Sequence, residues 1–274
     1  MEIKELFLRM NALAPERYQS SWDNCGVQIA GTLQDVSKVA VALEPTVKCM
    51  TECLEWGAEA VITHHPLYMQ PKAPNGESVY MDILRLFIQR GAWLYAAHTS
   101  LDTAPNGPAY WLGEALKLKE KQLVETVLEE DGRPIGFGEV GALPEPLPWA
   151  EFVKTLEEAL FSRIPRGVWS MSGPRPDVVT KVAYCGGSGS SMMEQAFALG
   201  AEVFITGDMK YHPAVDASHG TGMVIDAGHF LLEEEMMRLL AGTLREELAG
   251  SAAEVRFFKG EEPFTFHVQG GCSE

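Results

Sequence analysis

The chain has 274 residues, 46% hydrophobic and 22% charged, the composition of an ordinary soluble globular protein with one large or, as we read it, two medium domains. Its formal net charge of -16 argues against an extended nucleic-acid surface, because phosphate binding needs clustered Lys and Arg, and leaves room only for a local basic pocket. Five cysteines (Cys25, Cys49, Cys53, Cys185 and Cys272) are odd in number and lack zinc-ribbon spacing, which points to a reducing, cytoplasmic compartment without disulfides.

The first residues, MEIKELFLRMNAL, place apolar groups at helical spacing and have no unbroken apolar core of a signal peptide. No stretch approaches the roughly 20 apolar residues of a membrane span. Next comes SWDNCG, in which Asp23 reads equally well as part of an active-site loop and as the cap of a turn. From Lys38 the segment KVAVALEPTVKCMTECLEWGAEAVITHH has the pattern of a βαβ unit: a short apolar strand, a turn, a helix, a Gly-Ala break and a second apolar strand. Cys49 and Cys53 share a face of its helix, where buried packing accounts for them.

That second strand ends in ITHHPLY. Successive side chains of a strand point to opposite faces, so His64 and His65 can serve one small site only at the strand's end, where Pro66 turns the chain. GAWLYAAHTSLD follows, an apolar strand leading to His98 and Asp102, with Asp102 in the polar turn DTAPNGP. The middle segment, about 120–180, reads as a hairpin and then the amphipathic helix WAEFVKTLEEALF. Its GFGEVG matches G-x-G-x-x-G in letters, but no helix follows, so a glycine-containing strand turn explains it better than a dinucleotide site.

At Lys181 the first pattern returns. KVAYCGGSGSSMMEQAFALGAEVFITGD lies on Lys38 to His65 without a gap, sharing KVA, GAE and IT. The predicted fold is therefore α/β, two similar α/β domains from an internal duplication. Residues 1–122 form the first, and residues 123–274 the second, with a C-terminal strand that can return to the first half. GMVIDAGHFLLE can further be laid on GAWLYAAHTSLD, matching His229 to His98 and Glu233 to Asp102. The glycine cluster CGGSGSS, around Gly187, reads equally as a phosphate cradle and as a tight βα turn.

Ligands of open α/β sheets gather outside the carboxyl ends of the strands, and four strand ends here carry His64 and His65, His98 with Asp102, Asp208 with His212, and His229 with Glu233. Imidazole and carboxylate donors suit Zn, Mn, Fe, Co or Ni. One ion needs about three protein ligands, so five or six candidates suggest a pair of ions sharing a carboxylate, roughly 3.5–4 Å apart. Each of two adjacent histidines would then serve a different ion.

WDNCGVQIAG, ITHHPLY, AHTSLDTAPNG and the run from ITGDMKYHPAVDA through IDAGHFLLEE together resemble the NIF3-like family, also known as GTP cyclohydrolase 1 type 2, in order and over nearly the entire chain. The resemblance implies an NIF3-like fold assembled as a toroidal homohexamer, with two divalent transition metal ions per chain. It implies His64, His65, Asp102, His229 and Glu233 as ligands, with Glu233 bridging, and His98 close to the metals as a ligand or supporting group. Two departures stand out: VALEPT, with Glu44 and Pro45, where the family has VALDLT, and PAYW at Pro108–Trp111. Both lie outside the implied ligands and bear on substrate preference.

The implied activity is metal-dependent hydrolysis: attack at guanine C8 of GTP, ring opening and release of formate. His98 and Asp23 are then the catalytic candidates, and Lys210, His212 and Gly187 the candidates for holding the nucleotide. The alternative is a ring-shaped, non-catalytic metal-binding scaffold or regulatory protein.

Overall fold

The computed structural model describes residues 1–70, 72–161 and 168–265; Cys272 lies outside them. In chain order the first elements are α1 (Ile3–Leu13), β1 (Gly26–Ile29), β2 (Lys38–Ala42), α2 (Val47–Glu55), β3 (Ala60–Thr63), α3 (Val79–Arg90), β4 (Trp93–Ala96) and the single turn α4 (Thr99–Asp102). They are followed by α5 (Trp111–Ala115), β5 (Lys119–Glu130), β6 (Arg133–Pro148), α6 (Trp149–Phe161), β7 (Ser170–Ser172) and β8 (Val178–Tyr184). The last are α7 (Met193–Ala198), β9 (Val203–Thr206), α8 (Tyr211–Ser218), β10 (Met223–Asp226), α9 (His229–Glu247) and β11 (Glu254–Phe257).

Two compact units divide these elements. Met1–Ala109 and Glu234–Gly260 form the first, whose sheet has the order β1-β4-β3-β2-β11. All neighbours in it are parallel except β1, which runs against β4. β3 is buried throughout, as expected for a parallel strand covered on both faces. On one face Met50, Cys53 and Leu54 of α2 and Ile83 and Phe87 of α3 pack on Ala40, Val61 and Leu94. On the other, Phe7 of α1 lies 5.2 Å from the ring of Tyr95 and 5.5 Å from that of Trp93. Leu94 against its two neighbours is the period-two alternation of a strand made visible. Thr46 and Ser78 begin α2 and α3 by accepting from the amides of Cys49 and Met81.

The second unit is built on Tyr110–Glu233, with the sheet order β5-β6-β8-β9-β10-β7. Its middle strands β8, β9 and β10 are parallel and its flanking pairs antiparallel. Phe152, Leu156 and Leu160 of α6 cover one face over Val182, Val203 and Ile205. Met193 and Ala196 of α7 cover the other over Ala183 and Phe204. The predicted hairpin is β5–β6, turned by Asp131 and Gly132 at positive φ (51° and 73°), and the predicted helix is α6. GFGEVG lies within β6, where a Cβ on Gly136 would sit 1.8 Å from the Glu125 carbonyl oxygen, so its glycines serve strand approach. The hairpin's pairing keeps Lys119–Gln122 with the second sheet, so the chain passes from one unit to the other before residue 122, at Ala109–Tyr110.

The gapless match of the two βαβ segments holds in register: Val39 pairs with Ala60 as Val182 pairs with Val203. The downstream match is displaced by one residue. Ala60 stands opposite Trp93 and Val203 opposite Met223, so His98 corresponds to Gly228 and not to His229. The shared glycine letters misled the alignment, because Gly91 closes α3 in the left-handed region (φ 65°) and Gly222 has no such role.

Candidate metal-ligating clusters

In the first unit the ends of three adjacent parallel strands deliver the site. The Leu43 carbonyl, just past β2, accepts the amides of both His64 (3.2 Å) and His65 (3.1 Å), and Thr63 Oγ1 donates to the His65 carbonyl at 2.9 Å. This clip sets the two rings 5.0 Å apart, and each lies near the ring of His98, at 5.0 Å from His64 and 5.4 Å from His65. Donor atoms of the three histidines all lie within 4.8 Å of one another. Asp102, at the end of α4, places Oδ1 3.7 Å from His64 Nε2. Its backbone is the last residue of a helical turn, not the open polar turn its neighbours suggested.

The Nδ1 atoms are all engaged with oxygen. His64, fully buried, uses the Ala97 carbonyl (2.9 Å); His65 uses the Glu44 carboxylate; His98 uses Asp23 Oδ1 (2.9 Å). With Nδ1–H donating, Nε2 carries the lone pair in each neutral ring, which is the tautomer a metal ligand needs. The Asp23 side chain is fully buried and its Oδ2 also accepts from Thr99 N (3.0 Å) and Thr99 Oγ1 (2.5 Å). Burial pushes this carboxyl up, but the bonds from His98 and Thr99 outweigh it and hold it well below the usual carboxylate range. SWDNCG lies against the histidine cluster: Asn24 Nδ2 donates to the Tyr68 carbonyl (2.8 Å), Cys25 Sγ to Asp23 (3.2 Å), and exposed Trp22 stands edge-on 5.9 Å from His98. Burial and the Asp23 charge push the Cys25 thiol up to about 11, so it is a neutral donor here.

In the second unit α9 begins at His229, and one turn later Glu233 returns to the same face. Nε2 of His229 lies 2.7 Å from Glu233 Oε2, and its Nδ1 lies 2.7 Å from Asp208 Oδ2. The Gly187 turn makes room for this pair, since a Cβ there would be 2.5 Å from Glu233 Oε1 and 3.7 Å from His229 Cε1. The glycine cluster is a tight turn beside that pair. Its Gly189 amide is used by Thr206 Oγ1 (2.9 Å), its Gly187 carbonyl by the Gly207 amide (2.9 Å), and the helix after it, α7, is short. Lys210 and His212 stand exposed at the start of α8, and the ring partner of His212 is Tyr211 at 5.4 Å.

Of the two departures noted in the sequence, Glu44 touches a cluster and PAYW bonds the residue before Glu233. Glu44 orients His65. In PAYW, Trp111 Nε1 donates to the Leu232 carbonyl (3.0 Å), next to Glu233, and Tyr110 OH donates to the Gly136 carbonyl (3.1 Å). Glu44 escaped the sequence reading, although β2 and β3 predicted as adjacent parallel strands already place residue 44 beside the histidine pair. Asp208 was grouped with His212, and the structure joins it to His229.

Neutral imidazoles with oxygen-anchored Nδ1, beside carboxylates, are a donor set for a divalent transition ion, and the 3.7 Å His64–Asp102 separation suits donors that each lie about 2 Å from an ion. The residues present therefore fit such a metal. No described helix is long and apolar enough to cross a membrane.

Comparison with known proteins agrees in one direction. Residues 1–263 match the family model Duf34/NIF3 (NGG1p interacting factor 3). A Streptomyces coelicolor protein named GTP cyclohydrolase 1 type 2 homolog is 30% identical, over 97% of this chain and 94% of its own. A Helicobacter pylori protein named GTP cyclohydrolase 1 type 2 is 29% identical, over 88% of this chain and 91% of its own. Among solved structures, a Bacillus cereus protein related to NIF3 superposes with a TM-score of 0.86 at 22% identity, covering 97% of this chain and 99% of that one.

Proposed function

Because this chain belongs to the Duf34/NIF3 family, we propose that it is a metal-dependent hydrolase that opens the guanine ring of GTP or a related nucleotide and releases formate. The observation that carries the reading is the common anchoring of the first unit's histidines: His64, His65 and His98 each engage an oxygen through Nδ1 and so leave Nε2 to act as a ligand, while His229 lies between the Asp208 and Glu233 carboxylates. His64, His65 and Asp102 of the first unit, and His229 and Glu233 of the second, are the residues that would hold divalent transition ions, about two per chain by the family resemblance. Such ions, when bound, lower the pKa of water and polarise an electrophile.

The remaining steps belong to the chain's own groups. His98 Nε2 accepts the proton of the water that attacks C8, while the charge gained by the ring is balanced by ionised Asp23 at Nδ1. The same nitrogen returns that proton to the departing ring nitrogen. Trp22, exposed beside His98, is placed to cover a flat ring, and Lys210 and His212 are the groups assigned to the triphosphate. The family resemblance supports a toroidal homohexamer, and the cysteine usage a cytoplasmic location.

Metal-loaded protein incubated with GTP is expected to produce formate and a pterin triphosphate, and His98→Ala to slow this by at least about 100-fold. Metal analysis of protein purified without chelators should show less bound ion in His65→Ala and in Glu233→Ala. Full metal content in both variants would remove the ligand assignment; bound metal without formate would leave a non-catalytic metal protein.

A further inference from the structure

We propose that Glu44 and Asp208 are the positioning carboxylates of the metal ligands His65 and His229, one supplied by each unit from the end of a parallel strand. The proposal rests on the metal reading above and adds to it which residues decide how strongly the imidazoles bind. Glu44 follows β2 and meets Nδ1 of His65; Asp208 follows β9 and meets Nδ1 of His229 at 2.7 Å. Exposed ion pairs are common and contribute little by themselves, so geometry must distinguish these two.

Three features do so. Each carboxylate meets the ring nitrogen opposite the one assigned to the ion, and for His229 that other nitrogen already meets a ligand oxygen, Glu233 Oε2 at 2.7 Å. Each is also held by backbone: Leu43, beside Glu44, takes both histidine amides on its carbonyl, while Asp208 is flanked by Gly207 N bonding the Gly187 carbonyl (2.9 Å) and Met209 N bonding Asp226 (2.8 Å). Finally, for Asp208 alone, the backbone stands in the left-handed region (φ 53°), where aspartate is one of the few residues besides glycine that is found repeatedly.

An anionic partner fixes the tautomer and raises the basicity of Nε2 beyond what a neutral carbonyl does. Nδ1 of His64 faces the Ala97 carbonyl at 2.9 Å, a neutral acceptor where His65 and His229 face carboxylates.

The test is Zn²⁺ and Co²⁺ titration of the full chain against a chromophoric chelator, with the Co²⁺ visible spectrum recorded at each step. Glu44→Gln and Asp208→Asn should each weaken binding about 10- to 100-fold. Glu44→Asp, which keeps the charge, should restore most of the affinity and the spectrum. Glu52→Gln, an exposed carboxylate on α2, should change neither. Thermal unfolding of the metal-free variants should match the unsubstituted chain, separating positioning from folding. Unsubstituted protein that binds no metal would defeat the metal reading itself; unsubstituted protein that binds, with Glu44→Gln and Asp208→Asn binding equally well, would overturn this proposal alone.

Discussion

Lys38–His65 and Lys181–Asp208 share a scaffold down to single hydrogen bonds. In the first, Glu59 accepts from Ser37 Oγ (2.9 Å) and Lys38 N (2.9 Å), and Lys38 Nζ donates to the Trp56 carbonyl (3.0 Å). In the second, Glu202 accepts from Thr180 N (2.9 Å) and Lys181 N (2.6 Å), and Lys181 Nζ donates to the Leu199 carbonyl (2.8 Å). Gly57 and Gly200 turn at almost the same φ, 92° and 89°. The segments differ in the turn and helix between their strands and again at their last two residues, where His64 and His65 stand opposite Gly207 and Asp208. The reason is space. A Cβ on Gly207 would lie 2.6 Å from the backbone nitrogen of His229, so this end cannot carry an imidazole and brings one in from α9 instead. A common βαβ frame thus yields histidines in one unit and an orienting carboxylate in the other.

Forcing the second end toward the first should do the most damage. Gly207→Ala drives a methyl into fixed backbone, and overpacking of this kind costs about 1–3 kcal/mol or more; we expect a lowered Tm by calorimetry and loss of bound metal from displaced His229. Gly187→Ala tests the same crowding from the other side, since its Cβ would meet the Glu233 carboxylate and the backbone there is left-handed; metal content should fall more than stability does.

Next in size is the loop that only the first unit has. Asp23→Asn removes the buried charge that receives His98 and Thr99, and hydrogen bonds to charged groups contribute about 1.5–3 kcal/mol each, so about 2 kcal/mol should be lost in urea unfolding. The formate-releasing rate should fall as His98 loses its fixed tautomer, while Thr99→Val should affect stability with a smaller change in rate.

The smallest effect sharpens the likeness. Glu59→Gln should destabilise by about 1 kcal/mol at pH 7. Burial pushes the Glu59 carboxyl up, but the Ser37 and Lys38 bonds outweigh it and lower it below its unfolded value. A depressed folded pKa gives stability that is present above the unfolded value and lost as pH falls through the folded one. The difference between Glu59→Gln and the unsubstituted chain should therefore shrink as the solution is acidified below about pH 4. Glu202→Gln at pH 7 should cost a similar amount; a clear inequality would show that the matched bonds are not matched in energy.

Much of this was legible in the residues. The apolar runs KVAVA, AVIT and VFIT, the Gly-Ala breaks and the amphipathic WAEFVKTLEEALF are local patterns of burial, and burial periodicity follows directly from strand and helix geometry. The histidines and acids at strand ends were legible for the same reason: a strand's end is where the chain stops alternating and side chains of different strands can meet. Their identity as imidazole and carboxylate determined the chemistry that they can support.

Pairwise placement was left to the tertiary structure, because it depends on which strand lies beside which and in what register. One residue of register moved His98 from the position of His229 to that of Gly228. The neighbouring ends of β2 and β3 turned Glu44 from a departure read as bearing on substrate preference into the partner of His65. Close approach of α9 made Gly187 a space for Glu233, and a hydrogen bond across 75 residues of sequence made Asp23 the anchor of His98. The sequence by itself determined the two-unit α/β frame and the donor atoms at its strand ends. Only the packed chain decided which oxygen each imidazole faces, since a tautomer is chosen by a contact and a contact exists only after folding.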